Sequence, residues 1–448
     1  MFYILILLLL QPPSHRNMDI NKDHAAIDIK LAETLSKKFK TLHYPSSKEC
    51  CIYRVPQSQR CLNPSDYTPH IVSIGPLHHG NEELKAMEDN KLRYLHHFLQ
   101  RTKVSMPEFV ASIRKKEARL RNCYAETIDI ESDEFVAMIL VDAVFLIELF
   151  LRKYKGDFRT DDDPLFGESE LSFLGIQMRF DLYLEENQLP LFILNELFDL
   201  AKIATYGDIY SEISLITIIR FFFSKDSSFL PIGDTNLIDT HFSKAKHFLD
   251  LIILCLRPSS QSRDKRRFNY QNIPGIKELH QAGVQFDSGR GRSQSRLHIT
   301  FENGRLIIPS FTAFGGRTER LYRNILTFEN MQGYPRYFND YVALLCFLIR
   351  TPKDADLLIQ NGIIGLGDSE RMSSVLQSLK KSCIMGSDFQ YANVVTDLLH
   401  YCKLEWHGWT ATLKQNYFNT PWASISVIAG VILLILTVVQ TVCALIAL

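Results

Sequence analysis

Residues 134–154 read EFVAMILVDAVFLIELFLRKY. Apolar side chains point in nearly every direction around a helix of this length, so the segment reads as a central buried helix. Asp142 and Glu148 lie inside it. A buried carboxylate is costly alone, so each needs a partner from elsewhere in the chain. Helical periodicity dominates outward from this core. From Glu82 to Arg101, Leu84, Met87, Lys91 (by its stem), Leu95, Phe98 and Leu99 fall near one face at three- and four-residue steps. Further helices are expected at Leu189 to Ile203, Asp239 to Leu256, Thr318 to Asn330 and Tyr341 to Arg350.

Strand signal is confined to Gly283 to Phe286 and Arg296 to Pro309. The second stretch surrounds Asn303-Gly304, a strong hairpin turn because both positions tolerate positive φ. The expected fold class is therefore mainly α: a large helical globular body with a small β-hairpin or sheet element, plus one C-terminal transmembrane helix.

That last element rests on the tail. Residues 415–448 carry no charged side chain, and 425–448 are almost wholly apolar. The 24 residues of this stretch exceed the ~20 that a helix needs to cross a bilayer core. Trp422 and Tyr417 suit the headgroup layer and would form an aromatic collar. Upstream, Val395, Leu399, Cys402, Trp406, Trp409 and Leu413 step by alternating fours and threes, a heptad seam broken by Gly408. The seam reads either as part of this membrane-facing belt, with Trp406 and Trp409 at the interface, or as a last core helix docking on the body. Lys403 and Lys414 precede the span, so the positive-inside tendency places the body in the cytosol, with the plasma membrane as the expected site.

The organisation expected is an extension over 1–47, a body over 48–414, and a collar with its span over 415–448. In the extension, residues 2–10 are apolar but lack a positive flank and a cleavage site, so they make a poor signal peptide; the expectation is either that Met18 is the natural start or that residues 1–17 form a disordered or weakly membrane-touching end. Lys plus Arg and Asp plus Glu balance at 50 each, which points away from nucleic acid as a partner. The nine cysteines are scattered, with Cys50 and Cys51 adjacent, which is no disulfide framework. No Asn-x-Ser/Thr acceptor occurs outside Asn63-Pro64-Ser65, which its proline excludes. Two basic segments, 257–267 and 288–296, carry eight Arg and Lys and are candidates for contact with anionic lipid. Asp161-Asp162-Asp163-Pro164 reads as an exposed acidic loop.

The stretch YTPHIVSIGPLHHG, Tyr67 to Gly80, is the best candidate surface. Pro69, Gly75, Pro76 and Gly80 fix an irregular loop. Its His70, His78 and His79 are suited to bind a metal or to titrate near neutral pH, with a hydrogen-bonded structural loop as the plainer reading. No high-specificity metal spacing and no cofactor motif accompany them. Glu186-Asn187-Gln188 before Pro190 reads as a capped helix start whose polar side chains satisfy free amides. A catalytic pair of Glu185 and Glu186 is disfavoured, because adjacent residues face different ways. No nucleophile elbow, phosphate loop or zincin helix is present.

The ordered motifs are more specific than any of these alone. Ile52-Tyr53-Arg54-Val55-Pro56, YTPHIVSIGPLHHG, Lys91-Leu92-Arg93-Tyr94, Glu186-Asn187-Gln188-Leu189-Pro190, Asn303-Gly304-Arg305-Leu306, Arg323-Asn324-Ile325 and Pro421-Trp422 follow in series. This series resembles the plant family of domain of unknown function 247, over nearly nine-tenths of the chain. Two departures from its pattern are Ala143, where glycine is common, and Glu185, where an apolar residue is usual. The resemblance implies a plant protein with one C-terminal span and no established activity, and some grass members resemble self-incompatibility determinants. The expected function is a single-pass anchored interaction, signalling or recognition module with protein partners and not an enzyme. The alternative is a membrane-associated hydrolase or transferase of unrecognised type, which histidines converging on Glu88 or Glu186 would favour.

Overall fold

Helix α3, Ser132–Tyr154, is buried without a break from Asp142 to Lys153 in the computed structural model. The structure describes residues 48–403 apart from 168–170, 205–212, 225–235, 258–272, 290–294, 296, 312–314, 334, 366–367 and 387, together with 28–36 and 421–446. Around α3 pack α1 (Lys85–Arg101), α2 (Met106–Arg121), α5 (Leu191–Ala204) and α6 (Leu215–Ser224). Both interior acids find partners, as the sequence requires. Asp142 accepts from Lys91 Nζ at 2.6 Å and from the Gly75 amide at 2.7 Å. Glu148 accepts from Arg152 Nε at 2.8 Å and also from Arg101. Lys91 is therefore buried to its tip, at 1% exposure, and not by its stem alone.

The expected helix over 82–101 begins with a 3-10 turn, Glu82–Leu84, before α1 proper. Helix α2 was not anticipated, although Ser105 and Glu108 close a capping box and Phe109, Ile113 and Leu120 form its buried stripe. After α4 (Phe173–Asp181), the expected helix over 239–256 divides into α7 (Asn236–His241) and α8 (Phe248–Leu256). The break has a cause at His247, whose backbone is extended and whose imidazole accepts from the Asp250 amide as the cap of α8.

After α9 (Ile276–Gln281) comes a sheet of β1 (Gln285–Asp287), β2 (Thr300–Glu302) and β3 (Arg305–Ile307) in the order β1-β3-β2. Strands β2 and β3 pair antiparallel across the expected turn, with φ of 52° at Asn303 and 75° at Gly304. Strand β1 lies parallel to β3. The chain continues through α10 (Gly315–Gln332), α11 (Tyr337–Leu348), α12 (Pro352–Gln360), α13 (Ser369–Lys380) and α14 (Ala392–Lys403). The fold is mainly helical with a small three-stranded sheet; the main hydrophobic core runs from Val72 to Leu398, and a second, small cluster joins Cys51, Ile52, Leu77, Cys123 and Tyr124.

On helix α14 the described seam residues dock on the body: Val395 is buried in the main core, and Leu399 and Cys402 pack against it half-buried. Trp406, Trp409 and Tyr417 lie outside the described residues, as does the side chain of Trp422. Most of the basic segments 257–267 and 288–296 lies outside them too. A terminal helix, α15, spans Pro421–Ile446. Among the described residues no helix is long and apolar enough to cross a membrane, so the expected span gains no support there. The acidic loop also needs correction: Asp161 and Asp162 are exposed, but Asp163 is buried on Arg152 and Tyr94.

Candidate functional site

The stretch from Tyr67 to Gly80 forms no helix or strand beyond isolated turns, so its backbone amides need partners from elsewhere. Three side chains supply them. Asp181, the last residue of α4, accepts from the amides of His70, Ile71 and Val72 at 2.7–3.1 Å. Asn187 accepts from the Ile74 amide at 2.7 Å and donates to the carbonyls of Val72 and Asp181 at 3.0 Å. Asp142 accepts from Gly75. That glycine has φ of +75°, and a Cβ there would stand 2.7 Å from the Gln188 carbonyl oxygen and 2.9 Å from the Tyr124 hydroxyl. The loop is thus held from behind by α3, α4 and the Glu186-Asn187-Gln188 motif.

The same motif orders a second remote segment. Glu185 Oε1 accepts from the Tyr53 amide at 3.1 Å, and Glu186 Oε1 from the Val55 amide at 2.6 Å. Gln188 donates to the carbonyls of Leu182 and Leu184, both at 2.8 Å. The expectation that these side chains satisfy free amides is right in kind and wrong in address. Glu186 and Asn187 serve backbone more than a hundred residues away instead of the start of α5.

The three loop histidines part company. His78 Nε2 lies 3.1 Å from Glu186 Oε2. His79 Nε2 lies 3.4 Å from Glu134 at the start of α3. His70 turns to Arg320, at 3.4 Å, and burial together with that guanidinium pushes its imidazole below the ordinary histidine range. Among the described residues no group of histidine, cysteine and carboxylate side chains is arranged to hold a metal.

Glu186 carries the densest charge. Arg60 contacts it, Arg54 Nη1 lies 3.6 Å away, and Arg54 is itself paired with Glu126 at 2.5 Å. Burial pushes the Glu186 carboxyl up, but His78, Arg60 and the Val55 amide together hold it below the ordinary glutamate range. His78 and Glu186 do converge, the arrangement a proton-transfer pair would need. The carboxylate, however, is fully buried behind Arg54, Arg60 and His78. The neighbouring Glu185 is the opposite case. Burial pushes its carboxyl well above the ordinary range, Asp250 and Glu186 add to the rise, and among the described residues its Oε2 has no hydrogen-bond partner.

A second constellation escaped the sequence reading. Between α1 and residues 160–164 opens a small, shallow cleft. Its floor is Arg152, 1% exposed, stacked 4.0 Å from the Tyr94 ring centre. Arg152 donates to Glu148, to Asp163 at 2.5 Å and to His97 Nδ1 at 2.7 Å. Asp163 also accepts from Tyr94 at 2.9 Å and from the Leu165 amide at 3.0 Å. The legible signals were the four-residue steps from Glu148 to Arg152 and from Arg93 to His97, each of which sets its pair on one helix face.

The comparisons with known proteins follow the same segments. A family model described as a plant protein of unknown function matches residues 52–436. The UPF0481 protein At3g47200 of Arabidopsis thaliana is 28% identical over 91% of this chain and 88% of its own length. The putative UPF0481 protein At3g02645 of the same plant is 22% identical over 87% of this chain and 89% of its own. No solved structure matches the chain significantly. The family match begins at Ile52, beside the amides that Glu185 and Glu186 hold, and takes in every motif described above. The chain belongs to the DUF247 family of plant proteins.

Proposed function

We propose that this protein is a membrane-anchored recognition module, in which the motif residues build a rigid platform and recognition occurs on its outer surface. One observation carries the reading: the polar atoms of Asp181, Glu186 and Asn187 are directed at the backbone of distant loops. Side chains so engaged give a loop a fixed shape, which favours binding by cutting the ordering that binding would otherwise require. The reading takes binding, not catalysis, as the task of this surface, with other proteins as the partners. Anchoring rests on the charge-free apolar run 425–448 and on positive residues at its amino-terminal side, which favour a cytosolic body at the plasma membrane.

The test is fractionation of plant cells producing either the full chain or a chain ending at residue 414. The full chain is expected to resist alkaline carbonate extraction and the shortened one to be released. Protease added to sealed, cytosolic-face-out vesicles is expected to digest the body. Retention of the shortened chain in the carbonate pellet would overturn the anchor, and protection of the body would overturn its orientation.

A further inference from the structure

The geometry points to the cleft between α1 and residues 160–164 as a site for a small oxyanion of the phosphate or sulfate class, with Asp162 acting as a built-in competitor. This goes beyond the anchored-module reading and does not depend on it. The first reason is the donor balance. A guanidinium carries five N–H groups and accepts nothing. Arg152, which lines the cleft, directs one each to Glu148, Asp163 and His97, so each terminal nitrogen keeps one N–H beyond these bonds. Because a guanidinium only donates, His97 Nδ1 must be the acceptor in that contact. The neutral imidazole then carries its proton on Nε2 and offers a second donor. Arg93, exposed on the same helix face, brings a third, oriented by its 2.9 Å bond to Asn90 Oδ1.

The second reason concerns acceptors. Asp163 is saturated by Tyr94, Arg152 and the Leu165 amide. Asp162 is the one remaining carboxylate of the lining; it is exposed, accepts from Thr160, and feels both Arg93 and His97. It thus occupies, from the loop side, the electrostatic position that an external oxyanion would take. Burial, reinforced by Arg152 and Arg101, holds His97 below its ordinary range, so the ring stays neutral and its donor stays in place near neutral pH. Charge-assisted hydrogen bonds to several donors at once are what distinguish an oxyanion of this shape from chloride.

Titration calorimetry of the full chain in neutral detergent, with inorganic phosphate and with sulfate against chloride at matched ionic strength, tests the assignment. The expected result is saturable binding of the tetrahedral anions, weakened about tenfold or more in Arg93→Ala and tightened several-fold in Asp162→Asn. Both positions are exposed, so neither substitution disturbs the core. An equal response to chloride, or phosphate binding that neither substitution alters, would overturn it. Weakening in both variants would overturn the role given to Asp162.

Discussion

Replacing Glu185 by glutamine should make the protein more stable, and increasingly so as the pH rises. Glu185 is fully buried, its Oε1 accepts one amide hydrogen, and its Oε2 has no partner among the described residues. Burial and two nearby acids push its carboxyl well above the ordinary range. In the unfolded chain the same carboxyl ionises near about pH 4.3. Between that pH and the raised folded value the unfolded state binds fewer protons than the native state. Stability therefore falls as pH increases, by about 1.4 kcal/mol for each pH unit in the interval. Glutamine keeps the acceptor for Tyr53 but cannot ionise. Its amide group adds a constant term of about 1–3 kcal/mol if it too lacks a partner, so the slope and not the offset is the readout. Urea unfolding of both proteins at half-unit steps from about pH 5 to pH 7 should give curves that diverge in favour of the variant. Parallel curves across that range would refute the reasoning, because they would mean that Glu185 titrates as it does in water.

Asn187→Ala strips partners from the Ile74 amide and from the carbonyls of Val72 and Asp181, and should lower unfolding stability by about 3–6 kcal/mol; a loss under about 1 kcal/mol would contradict it. Lys91→Met leaves Asp142 buried without its cation and should remove about 3–5 kcal/mol, most of which Asp142→Asn restores in the double variant; additive losses in the cycle would count against a coupled pair. Burial lowers His247 to about 3, with Lys246 adding to the fall. The unfolded state therefore takes up the extra proton, stability declines as pH falls below about 6.5, and about 2 kcal/mol is lost by about pH 5. His247→Gln should flatten that acid limb in the same urea series, and an unchanged limb would exclude His247 as its source. Gly75→Ala places a methyl 2.7 Å from the Gln188 carbonyl at a positive φ, and should expose residues 70–75 to rapid amide exchange; wild-type protection would show that the loop tolerates it.

The core of this fold was legible because its signal is local. Residues 134–154 announce a buried helix by composition, and Asp142 and Glu148 announce that cations must reach them. Asn303-Gly304 announces the hairpin through two positive φ angles. Helix α2 had a readable start at Ser105 and Glu108, but with only Phe109, Ile113 and Leu120 buried its apolar stripe is too sparse to stand out. The split between α7 and α8 turns on His247, whose capping bond and burial against Phe328 are tertiary events. The motif residues were visible and their partners were not. Glu186 reaches Val55 across 131 residues and Asn187 reaches Ile74 across 113, distances that no periodicity encodes. Arg152 and Asp163 were hidden differently, since a cation at the end of an apolar helix and an acid beside a proline both look solvated in sequence.

These long reaches share a physical logic. An irregular loop cannot satisfy its own amides, and water cannot reach amides that the core covers. A carboxylate accepts several hydrogen bonds at once, so one Asp181 does for His70, Ile71 and Val72 what a neighbouring strand would otherwise do. Such an arrangement couples the surface to the core. Asp142 holds Gly75 with one oxygen and Lys91 with the other, so the loop, α1 and α3 meet at a single buried carboxylate. Glu329 repeats the device, accepting from the amides of Phe338 and Asn339 at the head of α11. Loops tied in this way unfold with the body instead of ahead of it. The outer side of the loop, with His70 and His79, is consequently presented in one geometry, which is the property a recognition surface needs.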